Sequence, residues 1–284
     1  MNQASDPVSI KQLLEQATRL LNTDSARLEA EVLLAHVLQQ PRSHFHAWPE
    51  KLLPDGSREH FRQLLQRRLS GEPVAYLTGE REFWSLPLSV TADTLIPRPE
   101  TETLVAQALQ RLPAERPQLI ADLGTGSGAV ALAIARERPR CRIIATDIAA
   151  AAIETARLNA RRLDIHSIEF HSGNWCEPLA GLQLDMIVSN PPYIAETDPH
   201  LLAGDVRFEP RSALAAGPQG MDDLRRIAYC AASHLQPGGW LLMEHGYEQG
   251  ELARQLLEDA GFTEVIDYPD EAGEDRVIAG RRSP

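Results

Sequence analysis

Up to Gly79 apolar residues recur at helical spacing; beyond it they gather in short strand-length runs separated by helical stretches. Ile10, Leu13, Leu14, Ala17, Leu20 and Leu21 form one stripe with the 3.6-residue period of an amphipathic helix. Ser9 and Gln12 in front of it match a capping box, and Val8 with Leu13 fits a hydrophobic staple. A second helix is expected over 26–39, stopped by Pro41, and a third over 57–70, ended by Gly71. Arg58, Arg62, Arg67 and Arg68 make the third helix basic, which reads first as a solvated face and second as a docking surface.

The pattern then changes. Residues 80–84 and 86–90 alternate as a hairpin, and Pro99 suits the first turn of a helix whose N-terminal dipole favours Glu100 and Glu102. Ordinary capping does not explain Pro97-Arg98-Pro99, which fixes one arginine rigidly. Strands are expected over 119–123, 142–146, 168–171, 184–189, 240–243, 264–268 and 276–279, with helices over 129–135, 149–163, 222–235 and 249–260 between them. Strand–helix alternation of this kind predicts an α/β fold: a seven-stranded, mostly parallel, Rossmann-like sheet covered on both faces, preceded by a small α-helical N-terminal domain. The expected division is a helical domain over 1–79, a hairpin linker over 80–95 and a catalytic domain over 96–284. The stretch 194–220 has weak periodicity and several prolines and glycines, and a loop of that length in a compact domain suits a lid or substrate clamp.

Candidate chemistry falls at the carboxyl ends of these strands, where open α/β sheets bind ligands. The first strand runs into Gly124-Thr125-Gly126-Ser127-Gly128 and then a helix, a unit in which missing side chains let backbone N–H groups approach a nucleotide. The spacing is not the G-x-G-x-x-G of dinucleotide sites, and no Gly-Lys-Ser/Thr phosphate loop is present. The second strand ends in Asp147, about twenty residues on, where an acid accepts hydrogen bonds from ribose hydroxyls. The fourth ends in Asn190-Pro191-Pro192-Tyr193. Two prolines stop the ladder and stiffen the chain, so the Asn190 side-chain oxygen and the Pro191 carbonyl become two acceptors aimed at one spot. Such a pair suits a planar –NH2 group, with Tyr193 offering a flat face. S-adenosylmethionine has the ribose and adenine these features fit, no phosphate, and a reactive methyl group for a nitrogen held there. It is the expected cofactor.

Composition narrows the class. A net charge of −12 and a pI near 5.2 give no basic footprint for nucleic acid. Cys141, Cys176 and Cys230 are scattered and odd in number, which reads as free, mostly buried thiols in a reducing cytoplasm. His44-Phe45-His46 reads as a loop pair rather than a metal site, and no metal is expected. A polar, acidic N-terminus without a leader or membrane-length apolar run gives a cytoplasmic expectation.

Taken together, residues 71–79 (G-E-P-V-A-Y-L-T-G), 96–102 (I-P-R-P-E-T-E), 122–128 (D-L-G-T-G-S-G), 188–193 (V-S-N-P-P-Y) and 208–210 (F-E-P) resemble the HemK/PrmC family, protein-(glutamine-N5) methyltransferases that modify peptide chain release factors. The likeness covers nearly the whole chain. Asn-Pro-Pro-Tyr is shared with many amino-group methyltransferases; its combination with I-P-R-P-E-T-E is far more specific. The resemblance implies a class I methyltransferase whose helical domain engages class 1 release factors and whose substrate is the glutamine of their Gly-Gly-Gln loop. It further implies that Gly124, Thr125, Gly126, Ser127, Gly128, Asp147, Asn174, Trp175 and Asn190 line the cofactor site. By the same likeness Asn190, Pro191, Pro192 and Tyr193 hold the glutamine, with Asn190, Pro191 and Tyr193 catalytic. Asn174 stands where the family often has Asp, which predicts weakened contact with the adenine amino group. A monomer without sequence-specific nucleic-acid binding is expected. The alternatives are a glutamine methyltransferase of a ribosomal protein, an adenine-N6 nucleic-acid methyltransferase and a non-catalytic cofactor sensor.

Overall fold

The computed structural model describes residues 8–283, so the polar stretch at the very N-terminus lies outside the described residues. The chain divides into two compact units, Met1–Gly79 and Glu80–Pro284.

The first unit is helical: α1 (Ile10–Leu20), α2 (Ala26–Leu38), α3 (Ser43–Ala47), α4 (Asp55–Leu69) and α5 (Val74–Thr78). Ser9 caps α1 reciprocally with Gln12, at 3.0 Å to the Gln12 side chain and 3.3 Å from the Gln12 N–H. Ile10, Leu14, Leu33, Leu34 and Phe61 make its core. Two sequence expectations need correction here. His44-Phe45-His46 is a helical turn, α3, because Phe45 is drawn into that core. Only two of the four arginines of α4 belong to a solvated face. Arg58 is buried and Arg68 half-buried, and Arg68 Nε donates to Glu29 Oε2 on α2 at 2.7 Å, while Arg62 and Arg67 remain outside and pair with Glu59 and Glu72. Burial opposes ionisation of Glu29, but hydrogen bonds from Arg68 and Ser25 outweigh it and its pKa lies below the ordinary value.

The second unit opens with a hairpin, β1 (Glu80–Phe83) and β2 (Leu86–Ser89). Both turn residues, Trp84 and Ser85, have positive φ (51° and 58°), the twist a two-residue hairpin needs. They lack the usual Asn-Gly. The turn is instead held by Glu102, which accepts from the Trp84 N–H at 2.8 Å, and by Glu137, which accepts from the indole N–H at 3.1 Å. A 3₁₀ turn, Pro99–Thr101, leads into α6 (Glu102–Arg111). There follow β3 (Leu119–Leu123), α7 (Ala129–Glu137), β4 (Arg142–Asp147), α8 (Ala150–Arg162), β5 (Ile168–Ser172), β6 (Leu184–Ser189), α9 (Asp222–His234), β7 (Leu235–Glu244), α10 (Gly250–Asp259), β8 (Phe262–Pro269) and β9 (Asp275–Arg282).

Strands pair in the order β5-β4-β3-β6-β7-β9-β8, parallel except for β9, which runs antiparallel to both neighbours. Side chains alternate between two apolar layers, as period-2 geometry requires. Ile120, Met186 and Val188 face the layer containing α6 and α7 residues; Ala121, Leu123 and Ile187 face that containing α9 and α10 residues. Phe83, Leu86 and Leu88 of the hairpin belong to the first layer. Among the described residues no helix is long and apolar enough to cross a membrane.

Cys176 and Cys230 are joined by a disulfide spanning 54 residues, and only Cys141 is a free, buried thiol. This corrects the expectation of three free thiols. Neither cysteine has a telling neighbour in sequence; β6 and the loop after it carry the chain from one to the other. Titration of unreduced, denatured protein with a thiol reagent should therefore find one cysteine, and three after reduction. Reduction should lower folding stability by roughly 2–4 kcal/mol for a loop of this size. Three reactive thiols without reductant would contradict the pairing.

Candidate active site

The sheet's topology reverses between β3 and β6: the chain winds from β3 outward to β4 and β5, then crosses back to β6. A crevice must open outside the carboxyl ends at such a point. Here the register pairs Leu123 with Ser189, so the residues that follow, Gly124 and Asn190, emerge side by side. Ser189 Oγ donates to the Leu123 carbonyl at 2.7 Å and ties the two ends together.

A cleft of about 360 Å³ lies at this edge, lined by Gly124, Thr125, Gly126, Ser127, Asp147, Asn174, Trp175, Asn190 and Pro192. These sequence-singled residues are therefore brought together. Gly128, Pro191 and Tyr193 do not line it; Gly128 is the left-handed cap that starts α7 (φ 85°), and Pro191 is buried.

The glycine turn is built for close approach. Gly124 has φ 72°, and a Cβ there would come within 3.1 Å of the Trp175 ring, so the indole packs directly on the turn. Asp147 at the end of β4 accepts from the Gly126 N–H and the Ala149 N–H, both at 2.9 Å. Burial raises its pKa, and those backbone donors oppose the rise. Asp122, inside β3, accepts from Thr125 Oγ1 at 2.6 Å and from the Ala131 N–H at 3.2 Å, fixing the turn from beneath. Complete burial, with the charge of Asp147 adding to it, pushes the Asp122 pKa up to about 6. Asn159 of α8 is fully buried and bonds the Ser127 carbonyl, the Ser89 carbonyl and the Ser89 N–H, clamping glycine turn to hairpin.

On the β6 side, Asn190 Nδ2 donates to Thr101 Oγ1 at 3.0 Å. The Pro191 carbonyl accepts no hydrogen bond among the described residues. Tyr193 turns its hydroxyl to Glu244 Oε1 at 3.0 Å, and Gln249 Nε2 donates to its carbonyl at 2.9 Å. Burial, then the charge of Glu244, raises the phenol pKa. Glu244 is itself fully buried at the end of β7, and its pKa is raised by that burial against the opposing hydroxyls of Thr101 and Tyr193.

The stretch 194–220 is not a plain loop. It forms three 3₁₀ turns, Pro199–Leu202, Val206–Phe208 and Arg211–Ala213, and a bridge from Ile194 to Ala215. Its Glu209 is buried, ion-pairs with Arg98 and accepts from the Ile96 N–H at 3.0 Å. The rigid Pro97-Arg98-Pro99 thus presents its arginine to Glu209. Pro210, Ser212, Ala213 and Ala215 consequently form part of the cleft wall. Asp122, Thr101 and the α9 pair Asp223 and Arg226 also line the cleft and were missed as site residues from sequence. Asp122 was readable as a polar residue inside an apolar strand and Thr101 lies in I-P-R-P-E-T-E, whereas Asp223 and Arg226 carry no local signal.

Asp122 yields a pH signature. A folded pKa near 6 against 3.8 for the free group means the folded state holds this proton more tightly, so stability attributable to Asp122 falls as pH rises from about 4 to about 6. Asp122→Asn removes that loss. Its unfolding free energy relative to wild type should rise, the variant becoming relatively more stable, by up to about 3 kcal/mol between pH 4 and 7 in urea titrations. Parallel pH curves would show that Asp122 titrates normally.

Comparison with known proteins gives the family and the fold. Residues 12–79 match the family described as PrmC N-terminal domain, and residues 102–207 match the methyltransferase small domain. A release factor glutamine methyltransferase of Vibrio cholerae is 50% identical over 278 residues, covering 96% of this chain and 97% of the relative. One of Escherichia coli K12 is 50% identical over 269 residues, covering 95% and 97%. Among solved structures, a methyltransferase from Pyrococcus furiosus, 18% identical, superposes with a TM-score of 0.54 over 78% of this chain and 98% of its own, a likeness of fold. The chain belongs to the release factor glutamine methyltransferase family.

Proposed function

We propose that this protein transfers the methyl group of S-adenosylmethionine to the side-chain amide nitrogen of the glutamine in the Gly-Gly-Gln motif of class 1 peptide chain release factors. The observation that carries this reading is the adjacency of Asn190 and the glycine turn at one sheet edge, fixed by the Leu123–Ser189 pairing. Family membership supports the substrate class.

The residues present suit the cofactor. The Gly124–Trp175 contact leaves backbone and an indole face where a nucleoside would lie, and Asp147 offers carboxylate lone pairs beside them for ribose hydroxyls. Asn174 and Trp175 would border the adenine, the Asn174 amide oxygen being a weaker acceptor than a carboxylate. When bound, S-adenosylmethionine supplies an electrophilic methyl carbon.

What the chain itself must do is make an amide nitrogen nucleophilic. Resonance delocalises its lone pair; the rotation barrier of about 18–20 kcal/mol measures how strongly. Asn190 Oδ1 and the Pro191 carbonyl would accept the two N–H bonds, favour a pyramidal nitrogen and turn its lone pair toward the cofactor side of the cleft. Fixing both reactants in that geometry can supply roughly 7–11 kcal/mol of the barrier. No strong general base is required, because the nitrogen becomes acidic as the new bond forms. Tyr193, anchored through Glu244, would hold the peptide bond after the prolines in place. The helical unit over residues 1–79 would engage the body of the release factor. The net charge of −12 argues against a nucleic-acid substrate.

Labelled methyl transfer to purified release factor tests this directly. Wild type should label it, a release factor with the loop glutamine changed to asparagine should stay unlabelled, and Asn190→Ala should lower kcat by about 10²–10³. Labelling of the asparagine variant, or an undiminished rate for Asn190→Ala, would defeat the assignment.

A further inference from the structure

An asparagine carboxamide can present either its oxygen or its NH2 group to a ligand, and the two differ by a flip about one bond. Only the oxygen can accept from a substrate amide. Something must therefore hold Asn190 the right way round, and its position at the end of a strand, followed by two prolines, constrains the backbone alone.

That partner is Thr101. Asn190 Nδ2 lies 3.0 Å from Thr101 Oγ1, and Thr101 is 3% exposed, seated between the cleft and the interior. A threonine hydroxyl can donate one hydrogen and accept two. By itself it would satisfy either orientation of the amide. What breaks the tie is Glu244. Its carboxyl group is fully buried, Oε1 is taken by the Tyr193 phenol, and Oε2 meets no donor at bonding distance. Thr101 and Tyr193 are the two hydroxyls that stabilise the ionised carboxylate against burial. The negative charge of Glu244 draws the Thr101 hydroxyl proton to its side, although the two groups form no hydrogen bond at bonding distance, and Oγ1 keeps its lone pairs for Asn190, whose amide gives it an N–H. The oxygen is left facing the cleft.

We infer that Thr101 is a positioning residue, which, backed by the Glu244 carboxylate, fixes the carboxamide of Asn190 with Oδ1 toward the substrate. This rests on the methyl-transfer reading above and deepens it. It also gives a role to the Thr101 of I-P-R-P-E-T-E, which helix capping does not explain: no side-chain cap bond is made at the start of α6. The same bond couples the two walls of the site, since Thr101 sits three residues after Arg98, whose ion pair with Glu209 holds the 194–220 stretch.

The test compares Thr101→Val, which keeps the shape and removes the hydroxyl, with Thr101→Ser, which keeps the hydroxyl. Thr101→Val should lower kcat on release factor roughly 10–100-fold, with S-adenosylmethionine affinity and melting temperature near wild type. Thr101→Ser should recover most of the rate. A second readout needs no turnover: the side-chain amide signals of Asn190 in ¹⁵N-resolved NMR, identified by their absence in Asn190→Asp. One Asn190 amide hydrogen should be protected from solvent exchange in wild type and Thr101→Ser and lose protection in Thr101→Val. A wild-type kcat for Thr101→Val, unchanged amide protection, or equal loss of rate in both variants would each overturn the inference. If wild type labels no release factor, the functional reading falls, while the amide signals still decide the orientation of Asn190.

Discussion

The parallel pairing of β3 with β6 is the constraint on which the site depends. Their register sets Leu123 opposite Ser189, and the Ser189 hydroxyl bond to the Leu123 carbonyl closes the pair at its carboxyl end. One strand then opens into a glycine turn that admits a ligand to backbone N–H groups; the other stops at two prolines. Binding surface and reacting surface thus share one edge without any long side chain reaching across. A slip of one residue would turn every side chain of β6 to the opposite layer, so the apolar alternation of Met186, Ile187 and Val188 specifies the site as firmly as it specifies the core.

Beneath that edge the protein keeps an uncommon amount of polar chemistry out of water. Asp122, Asn159, Glu209 and Glu244 are all buried, and each holds a segment at the cleft or behind it: the glycine turn, the hairpin clamp, the 194–220 stretch and Tyr193. Burying a carboxyl group is costly unless donors surround it, and the raised pKa values of Asp122, Glu209 and Glu244 show that cost remaining after the donors are counted. The return is rigidity. An amide gains reactivity from orientation more than from any strong acid or base, so fixed walls matter more here than titrating groups.

Most of the sheet was legible in the sequence because the signals were local. Strand 119–123, the glycines after it, the helix over 129–135 and strand 184–189 each carry their own periodicity and punctuation. The hairpin was legible too, though its turn needed Glu102 and Glu137 to hold positive φ at Trp84 and Ser85. What escaped depends on contacts between distant residues. Arg58 and Arg68 look like surface cations until Glu29, far off in sequence, is packed beside Arg68. Cys176 and Cys230 carry no motif, and only the fold brings them together. Phe45 pulls a short His-rich stretch into a helical turn. Thr101 lies in I-P-R-P-E-T-E and Glu244 follows a strand's apolar run, but that they face Asn190 and Tyr193 is set by the fold.

The central claim is that a glutamine carboxamide is held by its two hydrogens between Asn190 Oδ1 and the Pro191 carbonyl, at the cofactor edge of the sheet. Its most direct measurement is a crystal structure with S-adenosylhomocysteine and a Gly-Gly-Gln peptide bound. The glutamine side-chain nitrogen should lie within hydrogen-bonding distance, about 2.7–3.2 Å, of both oxygens and face the cofactor sulfur. A carboxamide bound elsewhere in the cleft, or one presenting its oxygen rather than its nitrogen to the sulfur, would contradict it.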